Sequence, residues 1–333
     1  MPGSDFEGIF QGKHVLITGG VGFIGSNLAR RLLELGAYIT IIDSLSPEFG
    51  GNPFNIQEIK GQIQVFIGDM CDEGKLELIL PAQDFLFNLA AQVSHAGSMG
   101  DPMVDLEMNA VSQIKLLEMC RKWNPAVRIV YAGTRQMYGR PHYLPVDEMH
   151  SLEPLDFNGI SKMAGEWYHL VCHRVYGMRT TSLRMTNVYG PRMRVRDSHK
   201  TFLGLWIRQI IDGQEMILYG DGRQLRDLNF VDDVVAALLV CAANPQAEGQ
   251  VYNLGGAPVS LLALAQMLAE VNGSGTYHME PFPMEMERID IGDYYGDYSK
   301  IRSQLGWEPY TPLCEGLLKT LNYYRENRLY YWP

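Results

Sequence analysis

The sequence predicts an α/β fold built around a doubly wound parallel sheet. Apolar runs rich in β-branched residues alternate with helical patterns along the first half of the chain: HVLITGG, FIGSNLARRLLELG, YITIID, QIQVFIGD, DFLFNLAA and RIVYAGT. Such alternation indicates βαβ units, whose ligands bind at the carboxyl ends of the strands. The first helix carries apolar residues at helical spacing and is expected to stop at Gly36, a usual C-terminal cap.

Composition limits the possible functions. A chain of 333 residues, 46% hydrophobic and 20% charged, can bury a substantial core in one large or two modest domains. The net charge of -10 disfavours nucleic-acid and anionic-membrane partners, which need a basic surface. The five cysteines have no CxxC spacing, and no apolar run approaches the length of a membrane span or signal peptide. We therefore expect a cytoplasmic protein.

A glycine-rich loop is the strongest local signal. Gly19, Gly22 and Gly25 in TGGVGFIG lie between a predicted strand and a predicted helix, where glycines let the backbone and the helix N-terminus approach a pyrophosphate. The next strand ends in Asp43, at about the twenty-residue offset expected of a carboxylate that binds an adenosine ribose. Because a carboxylate there would repel a 2'-phosphate, the loop predicts a Rossmann-type domain that binds NAD rather than NADP.

Ordered motifs between about residues 13 and 312 extend this interpretation. They are TGGVGFIG, GDM at 68–70, NLAAQ at 88–92, YAGTRQMYG, LRMTNVYGPR at 183–192, GDGRQLRDLNFVDDVV and DYSKIRSQLGWEP. In this order they resemble the extended short-chain dehydrogenases/reductases of the nucleotide-sugar epimerase/dehydratase family, such as UDP-glucose 4-epimerase. The resemblance implies an NAD domain over residues 1–180, to which parts of 181–260 return, and a lobe over 181–333 that mainly binds a nucleotide sugar. It also implies a homodimer through the helices around VSQIKLLEMC and EWYHLVCH.

The resemblance also assigns site residues. Those expected to contact NAD are Gly19, Gly22, Phe23, Ile24, Gly25, Asp43, Ser44, Asp69, Met70, Leu89, Ala90, Ala91, Gln92, Asn109, Lys162, Met185 and Val188. Those expected to contact the substrate are Thr134, Arg135, Asn187, Tyr219, Arg226 and Arg288. The catalytic positions are Thr134, Asn158 and Lys162.

Asn158 departs from the family pattern. The family carries a tyrosine four positions before its lysine, and that phenol takes the proton of a sugar hydroxyl while the carbon gives hydride to the nicotinamide. A carboxamide does not ionise near neutral pH, so Asn158 cannot be the base. Three explanations stay open: a nearby group replaces the phenol, the substrate assists itself, or the protein binds without turnover. The candidate groups are Tyr138, His95, Asp156 and Lys162 acting through water.

The residues after Thr134 bear on the reaction. Sugar-nucleotide 4,6-dehydratases carry an acidic pair there, because elimination of water needs an extra acid and base. This chain has Arg135 and Gln136, which favours epimerisation through a transient keto sugar with NAD recycled. A single-hydride dehydrogenase or reductase and a silent binding protein are the alternatives.

Two further clusters of residues are candidates for ligand binding. One is basic, and either clamps an anionic group or is a solvated loop: Arg192, Arg194, Arg196, His199 and Lys200. The other is His169 and His173, four apart in a predicted helix, for which no third ligand is apparent. We therefore predict no metal site.

Overall fold

The central sheet confirms the predicted α/β fold. The computed structural model describes residue 6 and residues 8–196 and 201–332. Its strands are β1 (His14–Thr18), β2 (Tyr38–Asp43), β3 (Gln64–Ile67), β4 (Phe85–Asn88), β5 (Arg128–Thr134), β6 (Arg179–Met185), β7 (Asn187–Tyr189), β8 (Met216–Tyr219), β9 (Leu225–Arg226), β10 (Leu228–Phe230), β11 (Val251–Asn253), β12 (Val259–Ser260) and β13 (Tyr277–Glu280). Seven of them form one parallel sheet in the order β11-β6-β5-β4-β1-β2-β3.

Helices connect these strands. They are α1 (Phe23–Glu34), α2 (Glu73–Ile79), α3 (His95–Gly100), α4 (Pro102–Leu106), α5 (Ser112–Trp123), α6 (Phe157–Tyr176), α7 (Phe202–Ile211), α8 (Val231–Ala243), α9 (Leu261–Asn272), α10 (Met284–Arg288), α11 (Ser299–Leu305) and α12 (Leu313–Asn327). A π-helical turn over Glu107–Val111 joins α4 to α5. The first helix ends at Glu34, and Gly36 follows with a φ of +79°, in agreement with the predicted stop.

Both faces of the sheet are buried. Val15 and Ile17 pack with Leu28 of α1, whereas Leu16 between them packs on the opposite side with Leu116 of α5. Successive side chains of a strand point to opposite faces, so a continuous apolar run such as HVLIT needs cover on both sides. This requirement explains why the strands read as apolar runs rather than as alternating patterns.

A second core lies in the C-terminal half of the chain. It contains Trp206 of α7, Leu264 of α9 and Leu321 of α12, all of them buried. Three two-stranded sheets belong to this part of the chain: β7 with β10, β8 with β13, and β9 with β12. The chain also returns to the main sheet, because β11 pairs with β6.

The strand order places a ligand site between β1 and β4. From β1 the connections run to β2 and β3 on one side, and β4, β5 and β6 lie on the other, so a crevice opens at the carboxyl ends where the direction reverses. Within the described ranges, no helix combines the length and apolar character needed to cross a membrane.

Candidate active site

The glycine loop closes tightly over the carboxyl end of β1. Gly19 has a φ of +70°, and a Cβ on it would lie 2.9 Å from the backbone of Ala90. A Cβ on Gly25 would lie 2.4 Å from the carbonyl oxygen of Gly19. Gly22 is the N-cap of α1 and has no side chain to satisfy the first N–H groups of that helix. The helix N-terminus is therefore open to an anionic group such as a pyrophosphate.

Asp43 is fixed at the end of β2. Its Oδ2 accepts a hydrogen bond from the N–H of Val21 at 2.9 Å, and its Oδ1 accepts one from Leu45 at 2.8 Å. Burial raises the pKa of Asp43 above its ordinary value, although both backbone hydrogen bonds act to lower it. Each carboxylate oxygen has a further lone pair for a ribose hydroxyl.

One large cleft joins the glycine loop to the C-terminal lobe. Its volume is about 1320 Å³, more than a single drug-sized ligand needs. Every residue that the sequence assigned to the cofactor lines it except Asn109: Gly19, Gly22, Phe23, Ile24, Gly25, Asp43, Ser44, Asp69, Met70, Leu89, Ala90, Ala91, Gln92, Lys162, Met185 and Val188. The predicted catalytic and substrate residues also line it: Thr134, Arg135, Asn158, Asn187, Tyr219, Arg226 and Arg288.

Asn109 lies behind the cleft wall. Its side chain donates to the carbonyl oxygen of Gln92 at 2.9 Å and accepts from the Gln92 N–H at 3.2 Å. It also donates to Asp105 at 3.0 Å. Asn109 therefore positions Gln92, which lines the cleft, and is not itself among the described residues that line it.

Asn158 shares these partners. Its amide nitrogen donates to the Gln92 carbonyl at 2.9 Å and to Asp105 Oδ1 at 3.0 Å, and the residue is only 3% exposed. Asp105, which the sequence reading missed, is fully buried, and its Oδ2 has no hydrogen-bond partner among the described residues. A signal was present, because Asp105 precedes Asn109 by one helical turn and shares its face.

Lys162 is buried next to this network. Its Nζ donates to the carbonyl oxygen of Ala132 at 2.5 Å and lies 4.5 Å from the centre of the Tyr131 ring. Burial lowers the pKa of Lys162 to about 8, although the charges of Asp105 and Glu166 act to raise it. The ammonium group is thus held at the end of β5, near Thr134.

Thr134 ends β5 and begins the turn that carries Arg135. The Thr134 Oγ1 accepts the N–H of Gln136 at 3.3 Å. The Arg135 guanidinium stacks 5.0 Å from the centre of the Tyr294 ring and donates through Nη2 to Asn187 Oδ1 at 3.2 Å. Its Nη1 is buried without a partner among the described residues. The N–H groups of this Nη1 are therefore not used by the described part of the chain.

Arg226 is a buried cation of the C-terminal lobe. Its guanidinium donates to Gln224 Oε1 at 2.9 Å and to the carbonyl oxygen of Gly292, and it forms an ion pair with Asp290 at 3.5 Å. Burial and the neighbouring Arg135 lower the pKa of Arg226 to about 10. Arg288 lies on the same side of the cleft and is exposed. This half of the cleft favours an anionic ligand.

The four candidate proton acceptors have different surroundings. Tyr138 is fully buried away from the cleft, donates to Asn253 at 2.7 Å and accepts from Arg184 at 2.6 Å. Burial raises the pKa of Tyr138 to about 12. Asp156 is buried at the N-cap position of α6. Of the four candidates, Lys162 and His95 are the two that line the cleft.

The remaining histidines and the basic cluster have separate partners. His169 is buried and stacks on Tyr131 at 4.4 Å, and burial lowers its pKa to about 4. His173 contacts the carbonyl oxygen of Met178 at 2.8 Å. Arg192 contacts Asn27 at 2.9 Å. Arg194 lines the cleft, Arg208 donates to the carbonyl oxygen of Arg196, and His199 and Lys200 lie outside the described residues.

Comparison with known proteins agrees with this geometry. Residues 15–255 match the NAD-dependent epimerase/dehydratase family. A UDP-glucose 4-epimerase of Mycolicibacterium smegmatis is 31% identical over 317 residues, which cover 93% of this chain and 98% of that protein. The structure of UDP-glucose 4-epimerase from Thermotoga maritima with UDP-glucose superposes with a TM-score of 0.85 at 30% identity, covering 95% and 99% of the two chains.

A third relative was solved with the cofactor. UDP-glucuronic acid 4-epimerase from Bacillus cereus, in complex with UDP-glucuronic acid and NAD, has a TM-score of 0.83 and 26% identity and covers 94% and 99% of the two chains. The glycine loop and Asp43 fit NAD, since the N-terminus of α1 is left open to a pyrophosphate and each oxygen of Asp43 keeps a lone pair for a ribose hydroxyl. With its seven-stranded sheet and its match over most of its length, the chain belongs to the NAD-dependent epimerase/dehydratase family.

Proposed function

We propose that this enzyme epimerises a nucleotide sugar through a transient keto sugar, with NAD recycled in each turnover. The observation that carries the proposal is a single cleft that contains two kinds of anion-binding group. Its lining includes both the open N-terminus of α1 and the guanidinium groups of Arg135 and Arg226. A dinucleotide and a nucleotide sugar each bring a diphosphate, which suits a helix N-terminus and a guanidinium respectively.

Different residues of the chain would bind different parts of NAD. The glycine loop would hold the pyrophosphate, Asp43 the adenosine ribose, and Lys162 the nicotinamide ribose. NAD, when bound, supplies the acceptor and later the donor of hydride. Thr134, at the end of β5, would hydrogen-bond the reacting sugar oxygen.

The C-terminal lobe would bind the nucleotide sugar. We assign residues 1–180 mainly to NAD and residues 181–333 mainly to the substrate. Asn187, Tyr219, Arg226 and Arg288 would contact it, and the T. maritima and B. cereus relatives, solved with UDP-sugars, support this substrate class. The Nη1 of Arg135, which has no partner among the described residues, offers one more donor to an oxygen of the ligand.

The residues near Thr134 favour epimerisation over elimination. Elimination of water needs an additional acid and base beside the sugar, and neither Arg135 nor Gln136 supplies a carboxyl group. We also infer that Asn158 stands where relatives carry their catalytic tyrosine. Its amide nitrogen is engaged with Gln92 and Asp105, so it can orient groups but cannot take a proton.

We further propose a cytoplasmic homodimer that pairs through α5 and α6. Ile160, Trp167, Val171 and Val175 are each more than 40% exposed and follow one face of α6. Such an apolar stripe on a surface helix is typical of an interface. Sedimentation velocity at micromolar concentration should give twice the 37.6 kDa of one chain, and a monomer would contradict the proposal.

The function is tested with a panel of UDP-, GDP-, CDP- and dTDP-sugars. The purified protein is incubated with each sugar while NADH absorbance is followed and the sugar is examined by NMR. A new epimer without net NADH is the expected result. Stoichiometric NADH with a keto or acid product would instead identify a dehydrogenase, and tight binding without conversion would identify a silent binding protein.

A further inference from the structure

A histidine–carboxylate pair lies in the wall of the cleft beside Asn158. The Nδ1 of His95 lies 2.9 Å from Asp156 Oδ2, and the His95 side chain is 35% exposed, whereas that of Asp156 is only 3% exposed. The other oxygen of Asp156 accepts the N–H of Gly159 at 2.6 Å. The carboxylate is therefore buried and fixed, while the imidazole it holds faces the cleft.

The pair is coupled to the catalytic positions by short connections. Asp156 precedes Asn158 by two residues at the start of α6. The Asn158 N–H donates to Ser98 Oγ at 3.2 Å, and that hydroxyl donates to the His95 carbonyl oxygen at 2.8 Å. On the other side, Gln136 contacts the imidazole and donates its N–H to Thr134. His95 thus lies between the turn after β5 and the start of α6.

The hydrogen bonds leave one ring nitrogen available. Asp156 accepts only, so it fixes the proton on Nδ1 and leaves a lone pair on Nε2. The amide nitrogen of Gln136 lies 2.9 Å from Nδ1 and 3.0 Å from Nε2. A position in the ring plane equidistant from both would collide with the carbon between them, so the amide lies against the ring face. The lone pair of Nε2 is not its acceptor.

The other titratable groups are less suited to this task. Tyr138 is fully buried behind the cleft, and both oxygens of Asp156 are engaged. Lys162 is 5% exposed and directed at the carbonyl oxygen of Ala132. Among the described residues that line the cleft beside Thr134 and Asn158, His95 is the one whose second ring nitrogen, Nε2, can offer a lone pair to a substrate hydroxyl.

We propose that His95, oriented by Asp156, takes and returns the proton of the reacting sugar hydroxyl. The inference rests on the epimerase function proposed above. In the forward step the O–H and C–H bonds of the carbinol break and a C=O bond forms. The proton passes to His95 Nε2, and the hydride, with its two electrons, goes to the nicotinamide of NAD. In the reverse step His95 returns the proton to the oxygen as hydride is added back to the carbon.

The kinetic test compares matched histidine variants in the full chain with NAD. His95→Gln should lower turnover about 100-fold or more, the usual contribution of a general base, while NAD and UDP affinities by calorimetry stay within threefold. His142→Gln removes an exposed histidine that also pairs with a carboxylate, Glu153, outside the cleft, and should retain full turnover. In His95→Ala, added imidazole should restore turnover in a saturable manner.

A spectroscopic test does not depend on turnover. In ¹⁵N-histidine-labelled protein, long-range ¹H–¹⁵N spectra should show His95 protonated on Nδ1, with its signal assigned by its loss in His95→Gln. Asp156→Asn, which keeps a good N-cap for α6, should change this tautomer pattern and lower turnover about tenfold. A nucleotide sugar should shift the Nε2 resonance.

The outcomes separate this inference from the proposed function. If the wild type epimerises a sugar and His95→Gln does so within threefold of it, the histidine is not the base and the epimerase function stands. A His95 ring protonated on Nε2, or unaffected by Asp156→Asn, also overturns the inference. A wild-type protein that converts no sugar of the panel overturns both.

Discussion

Replacing Lys162 with methionine should stabilise the protein at neutral pH in the absence of NAD. The lysine is 5% exposed, and burial lowers its pKa from 10.5 to about 8 despite the opposing charges of Asp105 and Glu166. In the unfolded chain the pKa of Lys162 has its ordinary value. Holding this ammonium in the folded protein therefore costs about 3 kcal/mol at neutral pH. Methionine has a similar length and carries no charge.

The sign of the pH dependence follows from the lowered pKa. The folded state binds the proton less tightly than the unfolded state, so the cost is fully present below pH 8 and is lost as the pH rises through 10.5. Both the ammonium and the neutral amine of Lys162 can donate the hydrogen bond from Nζ to Ala132. The loss of this bond in Lys162→Met therefore changes the free energy of unfolding by the same amount at every pH. The stability advantage of Lys162→Met over the wild type should thus shrink by roughly 2 to 3 kcal/mol between pH 7 and pH 10.

The assay is urea unfolding of both proteins at several pH values. Taking the difference between the two free energies of unfolding removes the titration of tyrosines and cysteines, which both proteins share. Lys319→Met removes an exposed lysine and controls for the loss of one positive charge. A difference between Lys162→Met and the wild type that is constant from pH 7 to pH 10 would refute the reasoning.

Three regions of the cleft give further predictions. Gly25→Ala should weaken NAD binding at least tenfold by calorimetry, because the new Cβ would lie 2.4 Å from the Gly19 carbonyl oxygen; unchanged affinity would contradict this. Asp43→Asn should weaken NAD binding and reduce the ratio of NAD affinity to NADP affinity, because the carboxylate that repels the 2'-phosphate of NADP is lost. An unchanged ratio would contradict this prediction. Arg226→Met should raise the KM for a nucleotide sugar about tenfold to a hundredfold, the worth of a charge-assisted hydrogen bond, and an unchanged KM would exclude a phosphate contact. Asn158→Tyr should leave turnover similar or lower, whereas a large gain would mean that the native protein has given up catalysis.

The parts that the sequence predicted are those encoded by local pattern. The glycine loop was recognised because the close approach at Gly25 tolerates only glycine, and Asp43 because strand length sets its offset. The parallel sheet followed from apolar runs that need cover on both faces. These features depend on residues that are close together in the sequence, so the sequence pattern alone is enough to predict them.

The parts that it did not predict depend on contacts between distant segments. Asp105 matters because it meets Asn158, which lies 53 residues away, in a buried site. His95 could not be distinguished from a structural histidine, because its carboxylate partner is 61 residues away. Asn109 is expected to contact NAD, and its position behind Gln92 could not be predicted, since periodicity gives the face of a helix but not which residues lie in front of it.

The surroundings of Asn158 favour an amide over a phenol at this position, in line with the proposed replacement of a catalytic tyrosine. Asp105 accepts hydrogen bonds from the amides of Asn158 and Asn109 and contributes a negative charge next to Lys162. A phenol at position 158 would have to become a phenolate within reach of that carboxylate, and two neighbouring negative charges raise the pKa of the group that ionises second. An uncharged amide avoids this repulsion. The proposed proton transfer is then better placed on the other side of the α6 N-terminus, where Asp156 Oδ2 holds the imidazole of His95 through Nδ1 at 2.9 Å.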